Sequence, residues 1–366
     1  MSEVRASPAR PDETSLREYF ECVLGAWPEA ECLAERSFQT VGGTVAVRSS
    51  NQRLLSLLTR ALAHLELETP SPPNLTIYLW DSASTRMKAP PSPLIWHTRR
   101  IGSHAGSEFD ARGEAPAFNC GSVRTSFHVW PNMLHALDMK RNLGVCWIDD
   151  AANVPYYETA APFRKILSWW IGGRDGLFVH GAAVGLDAGG VLLAGDAGSG
   201  KSTAALACLD GGLLYAGDDY CAVLTLPAPH VYSLYSTAKL KGRADLTRFP
   251  RLAPLVSNPE RLEQEKALLF LHPGWQASLT SGFPLRAILI PRVTGTASAR
   301  LVAASAETAL RAMSPSTIRQ LPGGGRIAFR EMARLVRALP AYMLEVGPDV
   351  SEIPSVIRRL LGGQAA

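Results

Sequence analysis

The six cysteines of this chain form no C-x-x-C pair and share no metal-ligand spacing with histidine. Cys22, Cys32, Cys120, Cys146, Cys208 and Cys221 are scattered. That pattern argues against a zinc centre or a disulfide framework and leaves buried free thiols as the expectation, in a reducing cytosol. No uninterrupted apolar run approaches the roughly 18–20 residues of a membrane span. The opening Met-Ser-Glu-Val-Arg-Ala-Ser-Pro holds no apolar signal core. Charge of one sign is scarce: 37 Lys and Arg face 33 Asp and Glu, a net +4 over 366 residues. Nucleic-acid and membrane-surface proteins carry clustered Lys/Arg instead, so neither partner is expected. No repeat of solenoid period is visible. What is present is apolar mass, 46% of the residues, which is enough for a substantial core, in two domains on length alone. The expectation is a soluble cytoplasmic α/β protein.

Along the chain, residues 1–14 read as a flexible tail rich in Pro, Ser and charge. A mixed α/β unit over 15–150 follows. A helix is expected over Ser15–Leu24 and another from Asn51 to Leu67, with strands at 44–48, 75–80, 126–130 and 144–148. Residues 82–94 read as a Pro/Ser-rich loop. His97, His104, His128 and His135 lack i, i+4 spacing, and Asp149-Asp150 reads as a turn. A helix over Ala161–Ile171 carries Trp169-Trp170, read as a packing anchor because adjacent helical residues cannot face one target together. Strands are expected within 177–184 and at 191–194, 213–215, 220–224, 231–236, 286–292, 298–304 and 341–347. Helices are expected at 305–313, 327–338 and 351–361, and Gly323-Gly324-Gly325 reads as a connector.

Within 151–366 one stretch carries chemistry. Val191-Leu192-Leu193-Ala194 runs into Gly195-Asp196-Ala197-Gly198-Ser199-Gly200-Lys201-Ser202-Thr203, which fits G-x-x-x-x-G-K-[ST] at every fixed position. The glycines let successive backbone N–H groups turn toward an anion, and the helix that begins near Lys201 adds its positive end. Lys201 supplies a charge to the β- and γ-phosphates of a nucleoside triphosphate, and the Ser202 hydroxyl is placed to hold Mg²⁺. The helix formers Ala204-Ala205-Leu206-Ala207 continue the pattern.

Seventeen residues after Lys201 comes Asp218-Asp219, at the end of the next expected strand. On an extended segment, neighbouring side chains point to opposite sides, so the two carboxylates would take different tasks, one toward Mg²⁺ and one toward the attacking group. His180 ends a strand just before the loop strand. The order His180-Gly181, phosphate loop, then Ala216-Gly217-Asp218-Asp219-Tyr220 resembles the HPr serine kinases, whose fold is related to phosphoenolpyruvate carboxykinase. It resembles more closely their HPr-kinase-related branch, including the kinases that phosphorylate a serine of lasso-peptide precursors. The close match spans roughly 175–225, with a looser likeness from about 155 onward.

The resemblance implies an HPr kinase/phosphoenolpyruvate carboxykinase-like P-loop domain with a mixed sheet. The smaller mixed α/β domain before it, 15–150, gains little from the resemblance and is a candidate acceptor-recognition module on its size and its lack of other chemistry. The resemblance further implies ATP and Mg²⁺ as cofactors, a peptide or protein serine as acceptor, and a homo-oligomer. Carried over by position, Lys201 binds the phosphates, Ser202 and Asp219 take the metal, Asp218 is the general base, and His180 sits beside the base. The chain departs from the family at Ser236-Thr237-Ala238-Lys239-Leu240-Lys241-Gly242. Lysines stand there in place of the family's carboxylate and Arg signature, which puts phosphorolysis, and HPr itself as substrate, in doubt. Lys239 and Lys241 are candidates for phosphate or acidic-substrate contact. Arg292 is read as structural. Two other readings stay open, a kinase acting on a small molecule and a non-catalytic ATP-binding regulator or scaffold.

Overall fold

The computed structural model describes residues 12–27, 32–93, 95–96, 119–294, 298–320 and 325–363. His97, His104, Gly323-Gly324 and most of the expected tail lie outside them. The first unit opens with α1 (Glu13–Leu24), capped by the Asp12 side chain, which accepts from the Ser15 N–H at 2.8 Å. A six-stranded sheet follows, built from β1 (Ala34–Thr40), β2 (Gly43–Ser49), β3 (Leu75–Asp81), β4 (Val123–His128), β5 (Met133–Asp138) and β6 (Leu143–Ile148) in the order β1-β2-β3-β6-β5-β4. β2, β3 and β6 run parallel. The crossover from β2 to β3 contains α2 (Gln52–Thr59) and its 3-10 continuation Arg60–Leu65, and α3 (Ser82–Thr85) follows β3. β3 is buried at all seven positions, as expected of a parallel strand covered on both faces.

Two short helices, α4 (Tyr156–Ala160) and α5 (Arg164–Gly172), lead to the second sheet. Its nine strands are β7 (Gly176–Val179), β8 (Ala182–Leu186), β9 (Gly189–Leu193), β10 (Leu214–Gly217), β11 (Cys221–Leu224), β12 (His230–Tyr232), β15 (Gly282–Val293), β16 (Arg300–Ala304) and β17 (Ala341–Val346). The path is β10-β8-β9-β15-β12-β11-β7, with β17 paired to β15 and β16 to β17. β9, β15 and β17 are mutually parallel in an otherwise antiparallel sheet. β13 (Thr237–Leu240) and β14 (Ala267–Phe270) form a separate ribbon, with the short helix α7 (Gly242–Leu246) between them in the chain.

One face of the nine-stranded sheet is covered by α6 (Lys201–Asp210), the β13–β14 ribbon and α10 (Ile353–Leu361), through Leu206, Leu269 and Ile357 among others. The opposite face packs on α8 (Ala306–Gln320) and α9 (Gly325–Ala338), through Met313, Met332 and Leu335. A third cluster joins the two units. Val47, Leu58 and Ile77 share it with Trp170, Phe178, Tyr220 and Phe270. No helix among the described residues is long and apolar enough to cross a membrane. All six cysteines are free, with Cys208 and Cys221 buried on α6 and β11. The fold is mixed α/β with mixed sheets.

Candidate active site

The loop 194–200 leaves the end of β9, which is buried at every position. The chain must reverse there within a few residues. It does so through positive-φ glycines: Gly200, at φ 98°, hands the chain into α6, a backbone state that costs any other residue more. No side chain caps that helix start, so its first-turn N–H groups have no partner within the helix and face the loop. Such an end attracts anions. Lys201 folds back over the loop and donates to the carbonyls of Gly195 at 2.7 Å and Asp196 at 3.0 Å. It is only 6% exposed. Burial lowers its pKa, and the charges of Asp218 and Asp219 act against that. The Ser199 hydroxyl is buried with no hydrogen-bond partner among the described residues, a polar atom left open toward a loop ligand.

Asp218 and Asp219 follow β10 and part company at once. The Ser202 hydroxyl donates to the Asp218 carboxylate at 3.0 Å, and the Lys239 backbone N–H approaches its other oxygen at 3.4 Å. Asp219 meets His180 Nε2 at 3.2 Å through one oxygen and Lys239 Nζ at 2.6 Å through the other. Their divergence does not come from strand alternation, as the sequence reading held. Asp219 sits in the left-handed region at φ 70°, so a turn swings it away from its neighbour. A non-glycine residue there stores strain that surrounding contacts must hold.

The electrostatics separate the pair further. Asp218 is fully buried, and its pKa is raised by that burial first and then by the Asp219 charge. Burial works to raise Asp219 as well, but the Lys239 ammonium and His180 outweigh it and hold it well below the ordinary carboxylate range. Lys239 responds in kind: burial would lower it, yet Asp219 and Tyr220 raise it.

His180, Lys201, Ser202, Asp218 and Asp219, taken from the sequence as site residues, thus converge at one edge of the second sheet, together with the loop residues. Lys239, a candidate phosphate contact by sequence, is bonded into the same cluster. Lys241 is exposed on the neighbouring turn, its N–H donating to Asp245 at 3.2 Å, and Arg292 is exposed at the end of β15. Asp150 caps the short turn after β6 by accepting from Ala152 N–H at 2.9 Å, which is the turn role read for Asp149-Asp150.

Tyr220, the last residue of the run Ala216–Tyr220, and Arg164, which carries no sequence signal, belong to the surroundings. Arg164, buried at the start of α5, donates to the Tyr220 hydroxyl at 2.8 Å and lies 3.5 Å from Glu158. The Tyr220 ring packs 5.7 Å from His180. The two partners lie 56 residues apart, beyond the reach of any local pattern.

Two hard oxygens, Ser202 Oγ and Asp218 Oδ1, lie 3.0 Å from each other, and among the described residues no group of three or more His, Cys, Asp or Glu is arranged to hold a metal ion by itself. That donor set fits Mg²⁺, which takes one or two carboxylates and completes its shell from water and phosphate oxygens. It fits poorly to metals that need several nitrogen or sulfur ligands.

No family model matches the chain, and no curated protein matches it. Among solved structures it is similar to the HPr(Ser) kinase/phosphatase from Coxiella burnetii, at a TM-score of 0.29 and 10% identity, covering 51% of this chain and 95% of that one. A likeness of that size carries no weight for activity, and the functional reading rests on the loop and the carboxylates.

Proposed function

We propose that the chain is a kinase that uses ATP and Mg²⁺ to phosphorylate a hydroxyl, with a serine of a peptide or protein as the acceptor. The observation that carries this reading is the split carboxylate pair beside the loop: Asp218 against Ser202, Asp219 against His180 and Lys239. A site that only bound nucleotide would need the first half alone.

The contacts support exchanging the two roles assigned from sequence. Asp218 and Ser202 hold the metal side, while Asp219 takes the hydroxyl proton. Mg²⁺, when bound, neutralises charge that develops on the phosphates. Lys201 and the first-turn N–H groups of α6 bind and orient the phosphate oxygens, a matter of positioning more than of covalent chemistry. His180 fixes the Asp219 carboxylate, and Lys239 keeps it ionised and therefore free to accept a proton. The weak basicity this pairing brings suits a loose transition state, in which the carboxylate mainly orients the hydroxyl. The first unit, 15–150, is proposed as the module that recognises the acceptor.

The test is transfer of label from γ-labelled ATP with Mg²⁺ to serine-containing peptides, to HPr and to a cell lysate. Label on serine is expected, reduced by about two to four orders of magnitude in Asp219→Asn. ATP binding without label on any protein, peptide or small molecule would favour the regulator reading instead. Equal turnover by Asp219→Asn would remove Asp219 as the base.

A further inference from the structure

β2 and β3 are adjacent parallel strands, yet the chain leaves their carboxyl ends toward opposite faces of the sheet. After β2 it enters α2, whose Leu54, Leu55 and Leu58 pack with Ile77 and Leu79 in the core shared with the second unit. After β3 it passes through α3 to Met87, which packs with Tyr78 and Trp80 on the other face. Ligands of open α/β sheets bind in the crevice that such a divergence leaves beyond the strand ends. A cavity of about 530 Å³ opens there, lined by Ser50, Asn51, Gln52 and Arg53 after β2 and by Ser84 and Thr85 after β3.

The crevice is rich in donors. Asn51 caps α2 by accepting from the Leu54 N–H at 3.0 Å. The N–H groups of Gln52 and Arg53, in the first turn, have no partner within the helix. Ser50 is an independent sign of a ligand. It lines the cavity, is only 6% exposed, and its hydroxyl has no hydrogen-bond partner among the described residues. A buried hydroxyl left in that state costs the fold unless something completes it. The Arg53 side chain is exposed at the same place. No carboxylate lines the cavity among the described residues. Asp81, at the end of β3, is fully buried, and its charge is taken up by the two loops. It accepts from Asn51 Nδ2 at 2.7 Å and from the Ser84 hydroxyl and N–H at 2.8 Å each, which ties the two sides of the crevice together.

We propose that this crevice binds a carboxylate of the acceptor peptide. The inference rests on the kinase reading and deepens it, because it says what marks the acceptor apart from its serine: an acidic side chain or a free C-terminus seated on the first unit. The donors match the group. A carboxylate has two oxygens with about four lone-pair positions, and two N–H groups, a hydroxyl and a guanidinium are there to meet them. Arg pairs with carboxylates through two parallel bonds, and the start of α2 adds its positive end. A single cation balances the one charge of a carboxylate but not the nearly two of a phosphate ester. Leu33, 75% exposed on the rim, offers the rest of an extended chain an apolar contact. No aromatic ring lines the cavity among the described residues, which leaves a nucleotide base nothing to stack on.

The experiment measures binding to the full-length chain by calorimetry, without nucleotide, using one serine peptide in three forms. The first carries Glu and blocked termini, the second Gln and a free C-terminus, the third Gln and blocked termini. At least one carboxylate form is expected to bind tighter than the third by about tenfold or more, and which one does so identifies the source of the carboxylate. The variants are Arg53→Ala, Ser50→Ala and Gln52→Pro, the last removing one N–H at the first helical position, where proline fits. Arg53→Ala should erase most of the advantage and the other two part of it, with ATP affinity unchanged and no loss of melting temperature in Ser50→Ala. Equal binding of the three forms, absence of binding included, would overturn the inference. So would an advantage that survives all three variants, or inorganic phosphate that binds more tightly than either carboxylate form and is lost in Arg53→Ala. Label transfer from ATP, run separately, tells the two readings apart. Binding that follows the carboxylate with no label moved removes the kinase and leaves the crevice. Label moved equally well to all three forms removes the crevice and leaves the kinase.

Discussion

Burial and the adjacent Asp219 charge push the Asp218 carboxyl above its ordinary pKa, whereas Lys239 and His180 hold Asp219 well below its own despite burial. Each shift has a consequence for stability. For Asp219, whose folded value is depressed, the stabilisation is complete above the unfolded pKa and is lost as pH falls through the folded value. For Asp218 the sign is reversed. The folded state is penalised while that group is ionised, and stability is gained as pH falls from the raised value toward the ordinary one. Asp218→Asn is therefore expected to raise the melting temperature at neutral pH, by about 2 °C or more, while abolishing Mg²⁺-dependent turnover, as groups arranged for function rather than stability do. Asp219→Asn is expected to lower it, since Lys239 would be left buried without its ion pair. Thermal melts of both variants at pH 5 and pH 7.5 check the prediction, and a lower melting temperature for Asp218→Asn would overturn it. At this scale the loop, His180 and the Asp pair were legible because their spacing is local. The division between the two aspartates was not, because it depends on a left-handed turn at Asp219 and on Lys239 arriving from a strand 20 residues on.

α5 is buried on nearly every side. Arg164, Lys165, Ile166, Leu167, Trp169, Trp170 and Ile171 are all buried, because the helix lies in the core that both sheets share. Trp170 is fully enclosed, with its ring face under the Arg174 guanidinium at 4.2 Å and its indole N–H donating to Asn142 at 3.3 Å. The packing role read for the tryptophan pair is the one it has. Trp170→Ala is expected to cost about 3–5 kcal/mol, measured by urea unfolding; a loss below about 1 kcal/mol would mean that the site collapses and refills. Other elements were legible in proportion to their patterning. β2, β3, β6 and β9 are apolar runs and were placed within two residues. β1, Ala-Glu-Arg-Ser-Phe-Gln-Thr, is a half-polar edge strand, and β5, Met-Leu-His-Ala-Leu-Asp, has the composition of a helix. Pairing with β2 and β6 makes them strands, and tertiary pairing of that kind overrides local preference. The expected helix over 51–67 tightens into a 3-10 turn at Arg60, a change that hydrophobic spacing does not report. The helix expected over 161–171 begins at Arg164, after Phe163 at φ 54°, and the short helix over 156–160 before it was not expected.

At the scale of the whole molecule, the boundary expected near residue 150 runs through a continuous core. Val47, Leu55, Leu58 and Ile77 on one side pack into the cluster that holds Phe178, Tyr220, Leu234 and Phe270 on the other. The Ser236 N–H donates to the Ala61 carbonyl at 2.8 Å across the same junction. Removing residues 12–150 would bare that apolar face, and exposed patches of this kind drive association. A chain of 151–366 alone is expected to aggregate or to bind a hydrophobic dye, and the full chain to unfold in one transition by both near- and far-ultraviolet circular dichroism. A 151–366 fragment that purifies as a compact monomer and binds ATP would overturn this.

β9 carries a second implication. Its two flanks are drawn from distant parts of the chain, β8 and β10 from residues 182–217 and β15 and β17 from residues 282–346. Yet both flanks pack into the same two apolar clusters: Ala182 and Tyr215 share one with Leu289 and Leu344, and Ala183 and Ala216 share the other with Ile288 and Ala341. A change of bulk on one side of β9 is therefore felt on the other, and the two sides are bound to change together over generations. A protein engineer meets the same constraint: a library on β17 needs compensating positions on β8 and β10.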